Sequence, residues 1–160
     1  DYIQTLGVNF MEKTITLKNT EITFSIWDLG GQMEFASMLP LVCNDAVVLL
    51  FCFDLSDRSK TSLKEIKYWY KKVRQINKNA FAFLIGTKYD LFVKLPAKEQ
   101  ADITKLARKY AKAMKAPLIF SSAQEAIGVQ KIFKIVLSKV FQLKCNIAKI
   151  SNVGEPILEY

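Results

Sequence analysis

Histidine is absent from all 160 residues, which excludes His-ligated metal centres and imidazole acid–base catalysis. Cysteine is sparse: Cys43, Cys52 and Cys145 form neither a Cys-x-x-Cys pair nor an even set, the pattern of a chain kept in a reducing compartment. Six glycines and four prolines are too few for a collagen-like or low-complexity chain. Long hydrophobic runs are missing too. The longest, residues 46–53, is far short of the roughly 20 residues a membrane-crossing helix needs. No signal-peptide pattern is read at the start, so a cytoplasmic protein is expected. No Gly-x-x-x-x-Gly-Lys-Ser/Thr occurs anywhere. The first residue is Asp1 rather than Met, and the natural N-terminus is expected upstream of it.

What is present is the composition of a globular domain, 51% hydrophobic, 12% aromatic and 24% charged. One core, and one domain spanning residues 1–160, is the expectation at this length. The net charge of +8 is unevenly placed. Residues 1–80 hold 10 Lys and Arg against 9 Asp and Glu, whereas residues 81–160 hold 13 against 6. The excess recurs at three- and four-residue spacing on Lys98, Lys105, Arg108, Lys109, Lys112 and Lys115, then Lys131, Lys134 and Lys139. That spacing describes a solvated helix face, or one that meets an acidic protein or anionic surface. No aromatic residues interleave with these cations to stack bases, so nucleic acid is not expected as a partner.

Periodicity divides the chain. Ile15, Leu17, Ile22, Phe24 and Ile26 alternate with Thr14, Thr16, Thr23 and Ser25 around Lys18-Asn19-Thr20, which predicts an antiparallel hairpin at a sheet edge. Residues 47–53, 81–85 and 118–120 are continuous apolar runs, the pattern of parallel strands covered on both faces. Three amphipathic helices follow from Leu63, Ile66, Trp69, Tyr70, Val73 and Ile76; from Ile103, Leu106, Ala107, Tyr110 and Met114; and from Val129, Ile132, Phe133, Val136, Val140 and Phe141. A shorter helix over residues 33–42 is expected to be interrupted by Pro40. Strands alternating with helices give an α/β fold with right-handed crossovers, in which ligands gather beyond the carboxyl ends of the strands.

Residues able to do chemistry stand at those ends. In Trp27-Asp28-Leu29-Gly30-Gly31-Gln32, the Asp28 carboxylate can hold Mg²⁺, the glycines let backbone approach a phosphate, and Gln32 can orient a water. A plain turn is the competing reading. In Gly86-Thr87-Lys88-Tyr89-Asp90, the two oxygens of Asp90 suit the paired N1–H and N2–H donors of guanine and the Lys88 stem can cover the ring. A solvated loop is the alternative. Ser121-Ser122-Ala123 offers a backbone N–H and small side chains to a ring carbonyl. Thr5 can complete a Mg²⁺ and γ-phosphate shell, or be an ordinary loop threonine.

In this order and placement the motifs resemble those of a Ras-like small GTPase. The resemblance identifies Thr5 with the switch I threonine and Asp28, Gly31 and Gln32 with switch II. It identifies Thr87, Lys88 and Asp90 with the guanine-specificity motif, and Ser122 and Ala123 with the Ser-Ala loop. Residues 4–14, 24–32, 38–43, 129–136 and 154–157 further resemble the septum-promoting GTPases of the septation-initiation and mitotic-exit network. It implies a P-loop NTPase-like G domain with a mostly parallel sheet, and the family's first strand, phosphate loop and first helix are expected before Thr5. It also implies GTP hydrolysis, with GTP or GDP as ligand and Mg²⁺ as cofactor, catalysed with Gln32. The nucleotide ligands are then Thr5, Gly31, Thr87, Lys88, Asp90, Ser122 and Ala123, and the metal ligands Thr5 and Asp28. A GTPase-activating protein or scaffold, an effector protein kinase and recruitment to the spindle pole body or centrosome are the implied partners and place. Two departures stand out: Met33 follows the switch II glutamine where a basic residue is usual, and Gln124 replaces a frequent Lys. The ending Ile157-Leu158-Glu159-Tyr160 is no prenylation box, so no direct membrane anchor is expected. A nucleotide-independent interaction module and an incomplete gene product are the competing readings of a chain without the phosphate loop.

Overall fold

A computed structural model describes residues 7–160. These fall into two compact units, the first ending at Asp45 and the second Ala46–Tyr160.

In the first unit, β1 (Val8–Leu17) and β2 (Thr20–Leu29) pair antiparallel from Val8↔Leu29 to Leu17↔Thr20. Lys18 and Asn19, both at positive φ (48° and 64°), make the two-residue connection that twisted hairpins favour. The hairpin is longer than its alternating core predicts, and Phe10 and Trp27 extend it with rings 4.6 Å apart. A 3₁₀ helix over Met33–Met38 runs into α1 (Leu39–Cys43). Pro40 therefore starts an α-helix instead of breaking one, because its missing N–H falls in the first turn, where no intrahelical partner exists.

In the second unit, β3 (Val48–Asp54), β4 (Phe81–Thr87) and β5 (Leu118–Phe120) are parallel, and β6 (Leu158–Glu159) closes the sheet antiparallel in the order β3-β4-β5-β6. The expected parallel sheet and antiparallel hairpin are both present, as two separately hydrogen-bonded sheets. Helices α2 (Thr61–Ile76), α3 (Tyr89–Phe92), α4 (Ala97–Met114) and α5 (Val129–Val140) flank the strands. Strand β4 is buried from Ala82 to Gly86 and β5 throughout, as their apolar runs predict. Strand β3 is a correction. Its burial alternates, with Phe51 and Phe53 inside and Leu50 40% exposed, and among the described strands only β4 is hydrogen-bonded to it.

The helix stripes also rotate slightly. Helix α4 buries Thr104 and Ala111 rather than Leu106 and Tyr110, the Thr104 hydroxyl donating to the Gln100 carbonyl at 2.8 Å. Helix α5 buries Ile135 and Leu137 while Phe141 stays exposed. No helix among the described residues is long and apolar enough to cross a membrane.

Candidate nucleotide-binding site

The base end of the predicted site lies wholly in the second unit, beyond the carboxyl ends of β3, β4 and β5. At the end of β4, the Thr87 hydroxyl donates to the Phe53 carbonyl at 3.0 Å and the Thr87 carbonyl accepts from Leu55 N–H at 3.0 Å, locking the strand end to β3. Lys88 then takes a left-handed conformation (φ 61°), which turns the chain into the single turn of α3. Its ammonium reaches Asp54 Oδ2 at 3.1 Å, a part-buried ion pair. Asp54 is itself fixed: Oδ1 accepts from Ser56 N–H at 2.8 Å and from the Ser56 hydroxyl at 2.6 Å.

Asp90 sits in α3, and the Ser122 hydroxyl donates to its Oδ1 at 2.9 Å, while Glu125 N–H donates to Ser122 Oγ at 3.0 Å. The segments that resemble the guanine-specificity motif and the Ser-Ala loop, 32 residues apart, thus meet directly. Backbone bonds hold the two together. Ser121 N–H donates to Gly86 O at 2.7 Å and Tyr89 N–H to Ser121 O at 2.9 Å. The loop is closed by reciprocal bonds between Ser122 and Ile127, both 2.9 Å, which leave Ala123 exposed. Asp90 Oδ2 accepts no hydrogen bond from the described residues, so one oxygen of a fixed carboxylate is open to a ligand's donors. The Tyr89 hydroxyl is pushed above its ordinary range by burial and, secondarily, by the Glu155 charge.

Asp28, Gly31 and Gln32 lie in the first unit. Asp28 is exposed near the end of β2, opposite Asn9. A Cβ added to Gly31 would meet no atom within 4 Å, and its φ is not left-handed, so neither packing nor backbone conformation accounts for the glycine. Gln32 opens the 3₁₀ helix, its carbonyl accepting from Phe35 N–H at 2.9 Å, and its buried Oε1 has no hydrogen-bond partner among the described residues. Thr5 lies outside the described residues. No cluster of three His, Cys, Asp or Glu able to hold a metal occurs among the described residues. Asp28 fits Mg²⁺ as one oxygen in a shell otherwise made by water and phosphate, the usual arrangement for this ion.

Asp54 and Ser56 escaped the sequence reading, although Asp54 directly follows an apolar run, where that reading looked for ligands. Tyr89 was seen only as a spacer within its motif.

Comparison with known proteins bears on this arrangement. A profile of the Ras family matches residues 1–142. The chain is 66% identical over 157 residues to septum-promoting GTP-binding protein 1 of Schizosaccharomyces pombe, covering 98% of this chain and 78% of that protein. It is 28% identical to Ras-related protein SEC4 of Saccharomyces cerevisiae, over 96% of this chain and 67% of that one. GTP-binding protein YPTM1 of Zea mays is 29% identical over 82% of this chain and 61% of its own length. With the profile spanning most of its length and the base-end motifs meeting as described, the chain belongs to the Ras family.

Proposed function

We propose that residues 1–160 form a single G domain of a small GTPase that alternates between GTP- and GDP-bound states in cell-division signalling, at septation or mitotic exit. The observation that carries this reading is the Ser122–Asp90 hydrogen bond of 2.9 Å, which presents a carboxylate in a fixed plane where β4 and β5 end. The 66% identity to a septum-promoting GTP-binding protein supports the cellular role.

In this reading Asp90 accepts from the guanine N1–H and N2–H, the Lys88 stem covers one ring face, and Ser122 and Ala123 border the ring carbonyl. Thr87 holds the end of β4 in place. Gly31, with Thr5, senses the γ-phosphate, and Asp28 and Thr5 serve the metal. Mg²⁺, when bound, neutralises developing charge between the β- and γ-phosphates. Gln32 orients the attacking water, and its buried Oε1, without a partner among the described residues, is an acceptor for a hydrogen bond from that water. A GTPase-activating protein or scaffold and an effector kinase complete the cycle, with recruitment to the spindle pole body or centrosome.

Nucleotide competition on the full-length protein tests the reading. GTP and GDP are expected to displace a fluorescent guanine nucleotide far better than ATP, because adenine leaves the Asp90 acceptor unpaired, a loss of about 1–3 kcal/mol or more. Asp90→Asn is expected to shift preference from guanine toward xanthine nucleotides. Equal displacement by ATP and GTP overturns the assignment.

A further inference from the structure

The Ras-family profile ends at residue 142, yet part of the chain beyond it joins the sheet beside the candidate base end, with Ile157 and Leu158 in the core. Ile150 and Leu158 exchange backbone bonds of 3.0 and 2.9 Å, making a small hairpin whose turn carries Gly154 at φ 95°. Its second arm, β6, pairs with β5 at Leu118↔Glu159 and Ile119↔Leu158. Ile157 and Leu158 are buried essentially completely. Arg108 of α4 clamps the arm, its Nε donating to Glu159 Oε1 at 2.8 Å and its guanidinium also to the Ser151 carbonyl.

Two bonds run from this hairpin into the loops that would hold the base. Phe120 N–H donates to the Ile157 carbonyl at 2.8 Å, directly before Ser121 and Ser122. The Tyr89 hydroxyl donates to the Gly154 carbonyl at 2.6 Å, directly before Asp90. Helix α3 is only four residues long and has no side-chain cap, so a single turn cannot hold Asp90 by its own hydrogen bonds. Beside the Ser122 bond to Asp90 and the complete burial of Phe92, Tyr89 adds two ties, its N–H to Ser121 on one side and its hydroxyl to the hairpin on the other.

We infer that Tyr89 is a positioning residue and that the hairpin of residues 150–159 is the frame against which it sets Asp90, so that this segment governs how sharply guanine is recognised. The inference rests on the guanine reading above. Tyr89 touches no base. It acts by keeping the Asp90 carboxylate in the plane that Ser122 defines.

The test compares GDP with IDP, whose hypoxanthine lacks the 2-amino donor, in competition against a fluorescent guanine nucleotide on the full-length protein. ADP is the reference for the reading itself. Tyr89→Phe removes one hydroxyl from the frame and is expected to lower the GDP-over-IDP preference roughly three- to tenfold, the effect of one neutral hydrogen bond, with IDP affinity little changed. Gly154→Val approaches the same bond from the other side, since a β-branched residue is strained at φ 95°, and is expected to give the same signature. GDP and IDP weakened in equal proportion by both variants would assign Tyr89 a merely structural role and overturn the inference, as would an unchanged ratio. A wild-type protein that prefers GDP over neither IDP nor ADP removes the guanine reading, and the inference with it.

Discussion

Gly86 lies where β4 passes Leu55, and a Cβ there would come within 2.8–2.9 Å of the Leu55 side chain, which has no exposed surface to retreat into. Its carbonyl accepts both the N–H (2.7 Å) and the hydroxyl (3.0 Å) of Ser121, so the residue also holds the loop that carries Ser122. Gly86→Ala is expected to cost about 1–3 kcal/mol of unfolding free energy by overpacking. Chemical denaturation measures this, and an unchanged midpoint would mean that Leu55 repacks without strain. The motif that begins at this glycine is recognisable by its side chains, but the glycine itself is demanded by a neighbour 31 positions away, which no local reading of the chain reveals.

At the scale of elements, the entry to α2 has an unusual cap. The residue before its first turn, Lys60, is left-handed and offers no capping side chain. Asp57 does that work from further upstream, accepting from Ser62 N–H at 3.0 Å, Ser59 N–H at 3.1 Å and the Ser59 hydroxyl at 2.5 Å. Burial alone would raise the Asp57 carboxyl. The hydrogen bonds from Ser59 and from the backbone N–H groups of Ser62, Ser59 and Thr61 outweigh it, and the net shift is downward. A depressed folded-state pKa contributes stability that is present above the ordinary carboxylate value, about 3.9, and is lost as pH falls through the lower folded value. Asp57→Ala is therefore expected to destabilise the protein by about 1 kcal/mol at neutral pH, the usual cost of an N-terminal cap. The difference between variant and parent should shrink as the pH is taken below about 4. Thermal melts across that range check it, and a difference independent of pH would assign the effect to packing.

Elements whose signal is local were legible in the sequence: the hairpin from its alternation, β4 and β5 from their apolar runs, α2, α4 and α5 from their stripes. Strand β3 was read correctly as a strand and wrongly as covered on both faces, because apolar composition records what a strand could bury, while Leu50 depends on whether a neighbour is there. Strand β6 went unseen, since two residues carry no periodicity. Asp28, Gln32, Lys88 with Asp90, and Ser122 could be singled out because each follows or ends a strand. The partners that orient them, Asp54 for Lys88 and Gly154 for Tyr89, are 34 and 65 positions away. Pairings at that distance are set by the fold, and only Asp54 had a local clue.

At the scale of the 160 residues taken by themselves, no Gly-x-x-x-x-Gly-Lys-Ser/Thr segment is there to bind phosphate. Such a loop supplies charge-assisted hydrogen bonds of roughly 1.5–3 kcal/mol each, and three of them amount to about 5–9 kcal/mol. The 160-residue chain by itself is therefore expected to bind Mg²⁺–GTP only in the millimolar range or weaker. Titration with a fluorescent GTP analogue decides this, and Mg²⁺-dependent micromolar binding would contradict it.

The two-residue turn at Lys18 and Asn19 also sets an order of events in folding. Every rung of the β1–β2 ladder can be zipped outward from that turn, starting at Leu17↔Thr20, so the hairpin needs almost no loop closure and belongs to the microsecond class of events. The parallel ladders begin instead with Val48↔Phe81 and Leu84↔Leu118, and β6 must find β5 across the whole of α5, as in Ile119↔Leu158. Such long closures are entropically costly before any contact rewards them. The pairing of β6 with β5, which closes the longest of these loops, is thus expected to form after the hairpin.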